Sequence, residues 1–473
     1  MYRGRRQIQG ETNDWRTDWN GIGRLGVLEE DAMSGFAFSH FQEHKTPMQN
    51  QQADIQRDSE TETAVIRKLG ATEHLFWLID RNRPIHFSLV AQIDRIFTHD
   101  AWRAALHTLQ QRHPLLSARI AVNAGSSPVF HHDSDARIPL QIIDDARLSW
   151  QEEVAREMTT AVNWWDAPLV RATVLQGASE STLILCAHHA VLDGMGGAYL
   201  IEALLRTLSE NSFDHRPLVP SLVPSFETLL STQMQAAALP GAMVPAPVPR
   251  EFRPMSGARA EVAALALDAP LTQALVERAR KEGTTVHGAV AAAVHEAGRR
   301  LSPAWRSRPI RTVTPIDVRK AIDGVGKACG VYITQTITID DRKLGAPFWL
   351  AAREVKALLA PAQVHQSVVS ETKALDAFMS SNPSVDDAAG FLSHVLAFDV
   401  LLSNLGSEPI DTTYEGVSLK SLWGPFVSSG FADDQVVGVC TLGGILRLSH
   451  TSYDALPGLL DEVHRVLREA VNA

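Results

Sequence analysis

Apolar residues recur along this chain in two alternating rhythms, short unbroken runs and longer stretches at helical spacing, and that alternation predicts a mixed α/β protein. Leu183-Ile184-Leu185-Cys186-Ala187 is short, apolar and partly β-branched, as expected of a strand buried on both faces. Asp193-Gly194 is turn chemistry, and from Gly197 to Ser209 the apolar positions follow a helical period. The pattern predicts further helices at Asp100 to Arg112 and Trp150 to Trp164, with strands at Phe87 to Ile93 and Leu169 to Leu175. The second half repeats the alternation: strands at Ala260 to Leu267, Arg311 to Ile316 and Gly330 to Ile339, and helices at Leu271 to Lys281, Val286 to Leu301, Ala346 to Leu359 and Leu456 to Val471.

Two stretches break the pattern. Residues 1–65 mix charges, Gly, Asn and Gln, and Gln49 to Thr63 is almost wholly polar. This arm is expected to lack a core of its own and to be disordered, apart from a short amphipathic piece near Leu25 to Phe41. Pro240, Pro245, Pro247, Pro249 and Pro254 forbid a helix across residues 239–254 and favour an extended linker. The expected organisation is thus an arm (1–65), a first lobe (66–238), the linker (239–254) and a second lobe (255–473).

The chemistry concentrates at His188-His189-Ala190-Val191-Leu192-Asp193-Gly194, on the predicted strand-to-helix connection. Adjacent strand residues point to opposite faces, so one histidine serves a site and the other serves packing unless the strand has already ended. The same geometry argues against a metal, which needs three side chains converging on one ion. Gly194, Gly196 and Gly197 do not make a dinucleotide loop, because Tyr199 stands where the third glycine belongs.

The spacing H-H-x-x-x-D-G resembles the signature of the acyltransferase superfamily that includes chloramphenicol acetyltransferase, condensation domains of nonribosomal peptide synthetases, plant acyl-CoA acyltransferases and mycobacterial polyketide-associated acyltransferases. Arg112-His113-Pro114-Leu115-Leu116, Pro168-Leu169-Val170-Arg171-Ala172, Gly283-Thr284-Thr285-Val286-His287-Gly288-Ala289, Thr314-Pro315-Ile316-Asp317-Val318-Arg319 and Ser403-Asn404-Leu405-Gly406 resemble its other segments, in the family's order, from about Leu69 onward. The plant branch's D-F-G-W-G is absent. The Asn-Asp pair of wax ester synthases is replaced by His287-Gly288. The microbial polyketide-associated and stand-alone condensation branch is the nearest.

That resemblance implies two chloramphenicol acetyltransferase-like α/β lobes with the active site in a tunnel between them. It implies acyl transfer from a CoA or carrier-protein thioester to a hydroxyl or amine acceptor, with His189 as general base, His188 structural, and Asp193 pairing with Arg319 rather than orienting His189. Amide formation in a peptide synthetase system and an inactive scaffold are the alternatives. Histidine titrates near neutrality and suits the removal of an acceptor proton. No G-x-S-x-G elbow occurs, in keeping with direct transfer and no acyl-enzyme. Ser403 and Asn404 either supply an oxyanion donor or cap the turn before Gly406. Trp423 either lines the acceptor channel or packs in the core. His113, His287, His394 and His450 are expected to be ordinary surface or core residues.

Composition narrows the partners. The 473 residues suffice for two cores, and a net charge of -10 disfavours nucleic acid. No apolar run approaches the ~20 residues of a membrane span, and the N-terminus lacks the apolar core of a secretion signal, so the cytoplasm is the expected location. Cys186, Cys329 and Cys440 lie far apart and are expected to be buried reduced thiols. No bound cofactor is expected beyond the thioester co-substrate.

Overall fold

A computed structural model describes residues 65–123, 126–144, 148–209, 224–233, 249–254 and 259–473. Residues 1–64 of the arm, its amphipathic piece and residues 239–248 of the linker lie outside the described residues, and Val65, the arm's last residue, opens the first strand. In chain order the first half contains β1 (Val65–Lys68), α1 (Ala71–Asn82), β2 (Phe87–Ile93), α2 (His99–Arg112), β3 (Ala118–Ala121), β4 (Val129–His132), β5 (Leu140–Ile143), α3 (Trp150–Thr159), β6 (Val170–Gln176), β7 (Ser181–Ala187), α4 (Gly194–Ser209) and α5 (Phe226–Gln233). The second half continues with β8 (Glu261–Ala266), α6 (Ala269–Lys281), α7 (Val286–Leu301), α8 (Pro303–Ser307), β9 (Ile310–Asp317), β10 (Ile333–Asp340), α9 (Phe348–Leu359), α10 (His365–Ser380) and α11 (Val385–His394). It ends with β11 (Val400–Ser407), β12 (Thr413–Tyr414), β13 (Val417–Phe426), β14 (Gln435–Leu442), β15 (Ile445–Ser452) and α12 (Leu459–Asn472).

Two six-stranded sheets organise the molecule. The first runs β12-β13-β2-β7-β6-β5 and the second β10-β9-β11-β14-β15-β8, with a small third sheet, β1-β4-β3, beside them. Only β5–β6 is parallel in the first sheet; β9–β11 and β11–β14 are parallel in the second. β13 departs from the lobe-by-lobe expectation. It follows the second lobe's strands in sequence but pairs antiparallel with β2, Trp423 opposite Val90 and Phe426 opposite Ser88. Where it passes β14 the approach is backbone to backbone, since a β-carbon on Gly438 would stand 2.7 Å from the carbonyl carbon of Gly424.

Two of the boundaries that move from their expected places have a local cause. The helix expected to reach Trp164 stops at Thr159, where the hydroxyls of Thr159 and Thr160 both donate to the Arg156 carbonyl at 2.9 Å and compete with the helical ladder. The Trp164 carbonyl then accepts from Ile120 N. The strand expected from Gly330 starts at Ile333, because the amide of Tyr332 is spent on Asp193 at 2.7 Å instead of on a neighbouring strand.

The cores follow the sheets. One joins α1, α2 and α4 to the face of the first sheet that carries Phe87 and Leu89, and it extends to Val313, Leu405 and the inner faces of α10 and α11. A second packs α6, α7, α9 and α12 on the outer face of the second sheet. Among the described residues no helix is long and apolar enough to cross a membrane.

Candidate active site

β7 ends at Ala187, so both histidines follow the strand, in a turn closed by Val191 N donating to the His188 carbonyl at 3.1 Å. Their rings still part. His188 is fully buried; its Nδ1 accepts from Ala190 N at 3.0 Å, which leaves the proton on Nε2, and Nε2 lies 3.4 Å from Asp80 Oδ2 on α1. Burial pushes the Asp80 carboxyl up, but His188, the Ile85 amide and His86 outweigh that and hold it below its ordinary value. His188 is thus a polar peg between the turn and α1. His188→Ala should remove both contacts, lowering the melting temperature while purified protein retains a measurable fraction of wild-type turnover; a variant that melts as wild type would show the peg to be dispensable.

His189 stands between two aromatic rings. Phe76 of α1 stacks on it with centroids 4.2 Å apart and planes 19° apart, and Phe87 of β2 lies at 5.0 Å. Burial lowers its pKa to about 4, so the imidazole is neutral at pH 7. Nδ1 is enclosed without a hydrogen-bond partner, whereas Nε2 is not among the enclosed, unpaired nitrogens. A neutral imidazole has the form a general base needs.

Asp193 is wholly buried and both of its oxygens are engaged. Oδ1 accepts from Gly196 N at 2.7 Å, closing the first turn of α4, and Oδ2 accepts from Arg319 Nη1 at 2.9 Å and from Tyr332 N at 2.7 Å. Arg319 follows β9 directly and also meets Asp317 Oδ1 at 3.0 Å; although burial opposes its charge, Asp193 and Asp317 hold its pKa above the ordinary value. The close packing explains the glycines. A β-carbon on Gly194 would lie 3.2 Å from Leu405 Cδ2, and one on Gly196 would lie 3.2 Å from the Gly330 carbonyl oxygen and 3.1 Å from Arg319 Nη2.

The remaining candidates separate. Leu401 is opposite Val313, so Leu401, Ser403 and Leu405 share the face of β11 turned toward the first sheet, and Ser403 keeps a free hydroxyl among the described residues. Asn404 is on the other face, and its Oδ1 accepts from Gly406 N at 2.8 Å. Trp423 lies on the face of the first sheet opposite Phe87, packed with Trp150, its Nε1 donating to Ser421 Oγ at 2.8 Å. His113 closes α2, His394 is exposed, and His450 is buried 2.9 Å from Gln435 Oε1. His287 opens α7 with Nε2 enclosed.

Cys186, Cys329 and Cys440 are all free and buried, and burial pushes each thiol up to about 12, so none is a nucleophile at neutral pH. A cavity of about 260 Å³ opens elsewhere, beyond the Asp340 end of β10, where Arg299, Arg300 and Arg342 line it already paired with Asp340, Glu296 and Glu469. The residues that sequence reasoning missed are Phe76, Asp80 and Phe87, which surround the two histidines.

Comparison with known proteins agrees with this architecture. Residues 256–429 match the family described as phthiocerol/phthiodiolone dimycocerosyl transferase C-terminus. The chain is 25% identical over 281 residues to the phthiocerol/phthiodiolone dimycocerosyl transferase of Mycobacterium leprae (strain TN), covering 54% of this chain and 63% of that protein. A 152-residue stretch is 25% identical to the nonribosomal peptide synthetase sidN of Epichloe festucae (strain Fl1), covering 32% of this chain and 3% of the synthetase. The matched stretches therefore span less than two thirds of either relative.

Among solved structures, polyketide synthase associated protein 5 from Mycobacterium tuberculosis superposes with a TM-score of 0.61 at 19% identity, over 86% of this chain and 98% of that one. Trichothecene 15-O-acetyltransferase from Fusarium sporotrichioides gives 0.63 at 12% identity, over 86% and 94%. The first condensation domain of the CDA synthetase gives 0.60 at 15%, over 86% and 96%. The chain has the two-lobe α/β fold of the chloramphenicol acetyltransferase-like and condensation-domain-like proteins, and the resemblance read from its motifs holds.

Proposed function

We propose that this chain is an acyltransferase that moves an acyl group from a CoA or carrier-protein thioester to a hydroxyl or amine, with His189 as general base and no covalent acyl-enzyme. The observation that carries the reading is the His189 imidazole, held against Phe76 and Phe87 at the end of β7 and neutral at pH 7, beside the buried Asp193–Arg319 pair. Nε2 takes the acceptor's proton as its oxygen or nitrogen attacks the thioester carbonyl. The tetrahedral intermediate then collapses, the C–S bond breaks, and the imidazolium returns the proton to the departing sulfur. The Ser403 hydroxyl is the donor we assign to the oxyanion, since it shares the face of β11 turned toward the first sheet while Asn404 is on the opposite face.

Purified protein incubated with a panel of acyl-CoAs and loaded carrier proteins, each with alcohol and amine acceptors, should yield an ester or amide by mass spectrometry. Amide alone would favour the condensation alternative. Thioester consumption with no acceptor-linked product in any combination would sink the transferase reading.

A further inference from the structure

One face of α1 reaches both histidines of the motif. Phe76 and Asp80 are four residues apart and so stand one above the other on the helix. Asp80 holds the helix to the strand end through its 3.4 Å approach to His188 Nε2, and its Oδ1 accepts from Ile85 N at 3.0 Å, fixing the entry into β2. One turn back, Phe76 lies flat on His189, and β2 contributes Phe87 on its other flank. The charged and titratable groups acting on the ring are Asp193, which favours the imidazolium, and His188, which disfavours it; burial outweighs both.

We propose that α1 is the positioning element of the base: Phe76 excludes water from the His189 ring and fixes its plane, and the Asp80–His188 contact sets where Phe76 sits. The proposal extends the reading of His189 as the base, but it is tested without assuming that activity. The mass of the Phe76 side chain is not what matters. Its ring covers one face of the His189 imidazole, and Asp80 is what keeps that cover in place.

The readout is carbethoxylation of His189 by diethyl pyrocarbonate, which attacks only the neutral imidazole, followed by peptide mass spectrometry across pH 4 to 8. Wild-type His189 should stay reactive down to acidic pH. Phe76→Ala should raise the midpoint of that profile by about one to two pH units, toward the free-histidine value. Phe76→Leu, which keeps an apolar cover, should stay near wild type. Asp80→Leu, which loses both contacts, should move the midpoint in the direction of Phe76→Ala, whereas Asp80→Asn, whose one amide oxygen can keep the Ile85 N contact while its NH2 faces His188 Nε2, should move it less. The acid limb of kcat/KM should shift with the chemical midpoint, with kcat at high pH reduced more than KM is changed. A Phe76→Ala protein that melts cooperatively yet keeps the wild-type midpoint overturns the role of Phe76. An unmoved midpoint in folded Asp80→Leu overturns the coupling through His188. Shifted midpoints in a chain that yields no product would leave the positioning intact and remove the transferase reading instead.

Discussion

His189→Ala is expected to lower turnover by roughly 10² to 10⁴ fold while leaving the chain folded. Nothing nearby can replace the lost base. His188 is sealed, with Nδ1 accepting from Ala190 and Nε2 turned to Asp80, and the carboxylate of Asp193 is committed to Arg319 and two backbone amides. The alanine leaves a gap between Phe76 and Phe87, so a modest fall in melting temperature should accompany the change. Initial rates at saturating thioester, read beside thermal melts, separate the two effects. Undiminished turnover would end the assignment of His189 as base.

The second large effect concerns stability. Asp193 and Arg319 have side chains 0% and 3% exposed, and removing one partner of such a pair leaves a buried charge uncompensated, at a cost of about 3 to 5 kcal/mol. Asp193→Asn and Arg319→Gln should therefore each destabilise strongly, with the asparagine the milder change because Asp317 still meets Arg319. The double variant should lose less than the sum, since each single change already removes the shared contact. Chemical denaturation of the four proteins gives the coupling. A different outcome, additive stabilities with a steep rate loss confined to Asp193→Asn, would restore an Asp193–His189 dyad.

Much of the fold was legible because strand and helix periods are local. The pattern places β2 and α7 at their observed ends and finds the alternation that defines the class. Where it missed, the cause was tertiary. α10 divides its apolar residues between two cores, Val368 and Val369 in one and Leu375, Phe378 and Met379 in another, so no single clean stripe marks it. In the site, the seven-residue motif was legible as a unit, and the family resemblance brought Arg319 to Asp193. Phe76 and Asp80 were not legible, because nothing in their local sequence says that their helix will lie across the end of a strand more than a hundred residues later.

The pairing of β13 with β2 has a consequence for how the chain is made. β2, Phe87–Ile93, is a nearly continuous apolar strand held by β7 on one side and β13 on the other. As the polypeptide leaves the ribosome, β7 arrives early, but the other flank of β2 stays open until residue 426 has been synthesised. Until then the growing chain presents a long unpaired apolar edge, the kind of surface that seeds self-association. A gene fragment ending at the proline-rich stretch would make that exposure permanent, so the first half expressed alone should aggregate where the whole chain does not.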